Sequence, residues 1–308
     1  MKSISKVILG TMIVGLKNYG ESCGLLDSAV KRGITSLDLA NVYGGGDSER
    51  AVGNWMRERK NREDIYIVTK GAHPNGDRER VTPYDIAADI MDSLARLKTD
   101  YIDCYLLHRD DEKVPVSVIM DALNEHYREG RIRAFGGSNW THGRMADANE
   151  YAKKAGLQKM TYSSPNFGLC EQVDNPWGPG CVSVSGKGGG AAREFYRNEN
   201  IPVFAYSSLG RGMLSGRVTR ENYADILDGA AKKAYAHEIN FKRLDRASEL
   251  AKKKGCSVPQ IALGYIFAQD FPVYPIVGAA NDAELAEITA ASEIRLTGAE
   301  CLWLENGE

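Results

Sequence analysis

The chain has 308 residues, 43% hydrophobic and 26% charged, with 39 basic and 41 acidic side chains for a formal net charge of −2. This composition is ordinary for a globular protein and excludes a disordered, collagen-like or coiled-coil chain. The balanced charge gives no general electrostatic reason to bind nucleic acid or an anionic membrane. A chain of this length can be two domains or one α/β barrel, and it buries roughly three quarters of its unfolded surface without needing covalent staples.

Apolar runs alternate with longer amphipathic stretches along the whole chain. The first run, Val7–Thr11, precedes a helical stretch Gly20–Arg32 that stops at Gly33, a residue suited to the left-handed turn after a helix. Ser36–Ala40 is followed by Ser48–Arg59, where Ala51, Val52, Trp55 and Met56 share one helical face. After Ile65–Lys70 comes Thr82–Leu97, with Thr82 placed to cap and Pro83 at the first helical position. Tyr101–His108, Ile132–Asn139 and Lys159–Ser164 follow, separated by Pro115–Glu129 and Thr141–Ala155. The last two runs, Val203–Leu209 and Val273–Gly278, are interleaved with Ala191–Asn198, Phe241–Lys254, an extra helix Val258–Ala268 and a closing helix Asp282–Ala291. Continuous apolar runs such as IYIVTK and YIDCYLLH read as strands covered on both faces, as in a parallel sheet. Eight strand–helix units predict an α/β fold of the closed (β/α)8 class, a TIM barrel, with a doubly wound open sheet as the alternative.

No Pro-rich or Ser-rich linker divides the chain, so a single domain is expected over residues 1–308. Residues 165–190 form the longest irregular stretch and follow a strand, which in a barrel puts them on the catalytic face. The six cysteines contain no CxxC and match no zinc pattern. No metal is expected, and Cys104 reads as a buried hydrophobe in a reduced, cytoplasmic protein. The N-terminal segment is too short and Gly-interrupted for a membrane span and lacks a signal-peptide cleavage region.

A barrel gathers its chemistry at the carboxyl ends of its strands. The polar residues there are Asp38, Tyr43 just beyond, Lys70, His108, Ser138, Asn139 and Ser164. A charge at such a position needs a partner, and Asp38 and Lys70 can pair across neighbouring strands. An ammonium near a tyrosine hydroxyl stabilises the phenolate and is expected to bring its pKa down towards neutrality. A neighbouring histidine can position a carbonyl oxygen or relay the proton.

The segment GITSLDLANVYGGGDSERAVGNWM resembles the signature of the aldo-keto reductase family, and SLARLKTDYIDCYLLHRDD, IRAFGGSNW, PVFAYSSLGRGMLSG and YPIVGAANDAELAEI match further family segments in order. The resemblance implies a catalytic tetrad of Asp38, Tyr43, Lys70 and His108 and a hydride transfer between NAD(P)H and a carbonyl carbon, with Tyr43 as general acid and base. It implies cofactor contacts from Gly10, Thr11, Asp38, Ser138, Asn139, Ser164, Tyr206, Leu209, Gly210, Gly212, Gly216, Gly278, Ala279 and Ala280. Ser164 departs from the glutamine common at its position. Glu284 lies near the usual place of an arginine that holds a 2′-phosphate, so NADP or NAD is left open. Asp110, Asn166 and Trp177 are the substrate-pocket candidates, suited to a small polar or sugar-like carbonyl. Asp110 reads equally as part of a solvated loop, and Trp177 equally as a loop anchor. A Schiff-base aldolase acting through Lys70 and a cofactor-binding regulatory subunit are the competing readings. His73, His126, His142 and His237 show no partners and are expected at the surface. The run SGKGGG lacks phosphate-loop spacing and reads as a flexible lid segment.

Overall fold

The computed structural model describes residues 2–308. Eight parallel strands close into a barrel in the order β1 to β8: Ile8–Gly10, Ser36–Asp38, Tyr66–Gly71, Cys104–Leu107, Phe135–Ser138, Tyr162–Ser164, Val203–Ala205 and Val273–Val277. Each lies inside or against one of the eight expected runs. The runs are longer than the strands because flanking residues are also buried. Ile102, for example, makes only an isolated bridge to Ile132 before β4 begins.

The chain forms two compact units, one running through Ser164 and taking in Gly278–Asp282, the other comprising Pro165–Val277 and Ala283–Glu308. The first contains β1–β6 and helices α1 (Tyr19–Lys31), α2 (Asp47–Arg59), α3 (Pro83–Leu97), α4 (Val116–Arg128) and α5 (His142–Ala155). Thr82 caps α3 as expected, accepting from the Asp85 amide at 3.2 Å. Gly33 takes its positive φ of 82° just past α1. Register fixes the site: Gly10 lies opposite Asp38, Asp38 opposite Val68, and Lys70 opposite Leu106. Asp38 and Lys70 therefore come from adjacent strands, with Lys70 two residues beyond the register partner of Asp38 and on the same side of its strand.

The second unit holds β7, β8 and the helices α6 (Gly190–Asn198), α7 (Tyr223–Ile226), α8 (Gly229–Tyr235), α9 (Glu238–Lys254), α10 (Val258–Phe267) and α12 (Gly298–Asn306), with α11 (Asp282–Ala290) beginning in the first unit. Helices α7, α8 and α12 were not expected from the sequence. The irregular stretch 165–190 folds back on itself. Asn166 pairs with Ser183, the Val184 amide donates to the Asn166 carbonyl at 2.9 Å, and Phe167, Leu169, Cys170 and Val184 are buried. SGKGGG is a 3-10 turn, Lys187–Gly189, running straight into α6, with Arg193 donating to the Gly186 carbonyl at 2.8 Å.

Candidate active site

Asp38 is the last residue of β2, and its side chain is buried with that of Lys70. The Lys70 ammonium donates to Asp38 Oδ1 at 2.6 Å, to the Leu39 carbonyl at 2.9 Å and to the Tyr43 hydroxyl at 3.3 Å. Three acceptors thus use all three ammonium protons. Thr11, directly after β1, donates its hydroxyl to the Asp38 carbonyl at 2.9 Å and meets Ser48 at 2.8 Å, tying the strand ends together.

Tyr43 opens a single turn, Tyr43–Gly46, in which Gly44, Gly45 and Gly46 all adopt positive φ (58°, 63° and 88°). Side chains would strain that path. The run of glycines turns the chain sharply into α2 and leaves Tyr43 over Lys70, with the ammonium 5.1 Å from the ring centroid.

Burial pulls the Lys70 pKa down, but Asp38 and Tyr43 more than reverse this, so the amine stays protonated. Burial pushes the Asp38 carboxyl up against the opposing pull of Lys70. Tyr43 corrects the sequence expectation. Lys70 does draw its pKa down, but burial outweighs that pull and the phenol ends above its ordinary value.

His108 follows β4, and its ring lies edge-on to Tyr43, centroids 6.0 Å apart. Burial, reinforced by Lys70, His73 and Arg109, drives its pKa well below the ordinary histidine value, so it is neutral. Its Nδ1 is buried without a hydrogen-bond partner. A bare lone pair there costs less than an unpaired N–H, and on that ground the proton is assigned to Nε2.

His73 also departs from expectation. It is half-buried, edge-on to His108 at 4.7 Å, with Nδ1 held by the Pro74 carbonyl at 2.7 Å. His126, on α4, is buried and meets the guanidinium of Arg131, just past that helix, rather than lying at the surface. The segment carrying His73 leaves β3 through Ala72 at φ 56°. Asp89 Oδ2 receives the Ala72 amide at 2.7 Å, and Arg80 bridges Asp89 and Asp85 at 2.6 and 3.2 Å. Arg78 joins Asp85 at 2.7 Å.

The other residues singled out from the sequence fall as follows. In the first unit, Gly10, Thr11, Ser138, Asn139 and Ser164 all lie at carboxyl ends of strands. Ser138 donates to the Ser164 carbonyl at 2.9 Å and accepts from the Asn139 amide at 3.2 Å. Asn139 sits at φ 59°, a left-handed conformation that asparagine tolerates. Gly278, Ala279 and Ala280 follow β8, with open space where a Gly278 Cβ would stand. Asp110 Oδ2 is held by Arg144 at 2.9 Å, while Oδ1 is buried without a partner.

In the second unit, Tyr206 follows β7, and Leu209 leads into consecutive left-handed residues Gly210, Arg211 and Gly212, with Gly216 beyond. Trp177 packs edge-on against Tyr206 at 5.9 Å with the Arg211 guanidinium 5.5 Å from its ring. Asn166 is buried and occupied on both sides, donating to Tyr206 and Tyr235 and accepting from Ser183. Glu284 lies 3.7 Å from Arg217. Sequence reasoning passed over Arg109 and Arg217. Arg109 was visible as the residue after His108, whereas nothing in the sequence brings Arg217 next to Glu284.

A buried acid and lysine beside a half-buried tyrosine and a half-buried, neutral histidine, all at or just beyond the carboxyl ends of barrel strands, form an arrangement able to hold and move a proton. The Aldo/keto reductase family model matches residues 6–177 and 189–302. The chain is similar to Uncharacterized oxidoreductase YrpG of Bacillus subtilis (27% identity, covering 95% of this chain and 89% of the relative). It is also similar to Aldo-keto reductase YhdN of the same organism (29%, covering 99% and 87%) and to Norsolorinic acid reductase B of Dothistroma septosporum (26%, covering 96% and 76%). Among solved structures, the thermostable aldo-keto reductase Tm1743 in complex with the inhibitor epalrestat shares the fold, with a TM-score of 0.74 at 24% identity over 98% of this chain and 94% of the other. The protein belongs to the aldo/keto reductase family and is an oxidoreductase. No helix among the described residues is long and apolar enough to cross a membrane.

Proposed function

We propose that the protein reduces a small polar aldehyde or ketone to its alcohol, and runs the reverse reaction, with NAD(P)H as partner and Tyr43 as the proton donor and acceptor. The observation that carries this reading is the buried Lys70 ammonium held between Asp38 and the Tyr43 hydroxyl. When bound, NAD(P)H supplies the hydride. The residues present suit that cofactor. Ser138, Asn139 and Ser164 form a cluster of hydroxyl and amide groups complementary to a carboxamide, which both donates and accepts. Gly210, Gly212 and Gly216 bend the backbone as close approach to a phosphate requires.

The protonation states of Tyr43, Lys70 and His108 suit the reductive direction. Tyr43 is a neutral phenol and holds the proton that a carbonyl oxygen must receive. Lys70 remains charged and stabilises the phenolate left behind, and Asp38 keeps Lys70 in place. His108, with its proton on Nε2, donates a hydrogen bond to the same oxygen as charge develops there. A protonated Lys70 is a poor amine nucleophile, which weighs against a Schiff-base aldolase.

Tyr43→Phe tests the reading. Turnover of a carbonyl panel should fall by about 10²–10⁴-fold, while the fluorescence titration with NADPH or NADH stays nearly unchanged. Undiminished turnover would refute the assignment.

A further inference from the structure

Arg109 immediately follows His108 and is half-buried. Its one side-chain hydrogen bond among the described residues runs from Nη1 to the His108 carbonyl at 3.1 Å. The Trp140 indole donates to the Arg109 carbonyl at 3.3 Å and fixes the backbone there. No carboxylate among the described residues neutralises this guanidinium. The adjacent acids are engaged elsewhere, Asp110 with Arg144 at 2.9 Å and Asp111 with the Lys113 amide at 3.1 Å. Other partly buried arginines of the same unit do meet acids: Arg62 pairs with Asp103, Arg80 with Asp85 and Asp89, and Arg96 with Glu49.

The charges around the reacting groups therefore do not cancel. Lys70 is balanced by Asp38, His73 and His108 are neutral, and Arg109 is left as one uncompensated positive charge. Its field reaches the reacting groups, drawing down the pKa values of Tyr43, His73 and His108. A partly desolvated guanidinium gains more from an oxyanion partner than a fully solvated one would.

We infer that Arg109 is a substrate-anion receptor, and that the carbonyl compound this protein takes carries an oxyanion, a carboxylate or a phosphate, close to its reacting carbon. The inference rests on the reductase reading and narrows its substrate class. The planar guanidinium fork suits either oxyanion bidentately. Its place in the chain next to His108 asks for the oxyanion and the carbonyl on one small molecule.

Calorimetric titration of the protein with benzoate, phenyl phosphate and benzamide tests the receptor without any turnover. One of the anions should bind at least about tenfold more tightly than the neutral amide, and the tighter anion identifies the group. Arg109→Gln should remove that preference and Arg109→Lys should retain part of it. Equal binding of amide and anions, or an Arg109→Gln protein that binds anions like the parent, would overturn the inference.

Kinetics supply the second readout. The ratio of kcat/KM for 4-carboxybenzaldehyde to that for its methyl ester should fall at least about tenfold in Arg109→Gln, chiefly through KM. Equal loss on both aldehydes would make Arg109 a structural support of His108 and sink the proposal. Anion binding with no turnover of any carbonyl would refute the reductase reading and leave the receptor standing.

Discussion

At the scale of single residues, the Asp38–Lys70 pair carries the highest stakes, because both groups are buried and each is the other's compensation. Asp38→Asn leaves an ammonium without its counter-charge and should cost about 3–5 kcal/mol in urea unfolding. Asp38→Leu combined with Lys70→Met should recover most of that stability while abolishing turnover, which separates folding from chemistry. The histidines set an acid limit. His108, His73 and His126 all have pKa values lowered below the ordinary 6.5, so below that pH the unfolded chain takes up protons that the folded protein does not. Stability is then lost as pH falls below 6.5, each such histidine contributing up to about 1.4 kcal/mol per pH unit. His108→Gln should flatten the pH dependence of unfolding by up to about that slope just below 6.5. Cofactor choice also turns on single side chains. If the proposed cofactor binds there, the Glu284 carboxylate would oppose a 2′-phosphate and Arg217, 3.7 Å from it, would offset part of that, both side chains being solvent-accessible. Glu284→Gln should shift the NADPH-to-NADH binding ratio upward severalfold in fluorescence titration, and Arg217→Ala should shift it downward.

At the scale of elements, α2 and α3 approach closely enough that Gly53 has no room for a side chain. A Cβ there would stand 2.8 Å from the Leu97 backbone, which cannot rotate away as a side chain could. Gly53→Ala should destabilise the protein by about 1–3 kcal/mol, read as a lowered Tm. Elements like these were legible in the sequence where periodicity and capping agree, as in Thr82–Pro83 at the head of α3. Strand ends were legible as regions only, since apolar flanks stay buried after the ladder stops. The missed helices had signals of a different kind. Thr297 and Glu300 form a reciprocal cap on α12, and Asp228 accepts from the Ala231 amide at 2.7 Å to start α8. Those caps stand in the sequence without a strong apolar stripe behind them. Asp38, Lys70 and His108 could be read because a barrel dictates where strand-end polar groups point. The turn of 72–80 that brings His73 onto His108 has no periodicity to read, nor does the pairing of Asp110 with Arg144 that leaves Arg109 without an ion-pair partner among the described residues.

At the scale of the molecule, closing eight strands into one barrel hides reactive groups that composition alone leaves open. Cys23, Cys104 and Cys170 are buried, whereas Cys181, Cys256 and Cys301 are half-exposed, and all six are free thiols. Burial pushes the Cys170 thiol up to about 12 and the Cys301 thiol up to about 11. Titration of the native protein with a disulfide reagent should reach at most three thiols, Cys181 and Cys256 ahead of Cys301, with all six reacting after denaturation. Fast reaction of Cys104 in the native state would contradict the packing around β4.

The paired arginines Arg78 and Arg80 fasten the stretch after β3 to Asp85 and Asp89 on α3, and Asp89 also receives the Ala72 amide. Engineers wishing to retune selectivity by transplanting that stretch from a relative must therefore bring both helix carboxylates along with it. A graft that omits them would strand two arginines or two acids and let His73 drift from its neighbour, so the exchangeable cassette runs from Ala72 through Asp89.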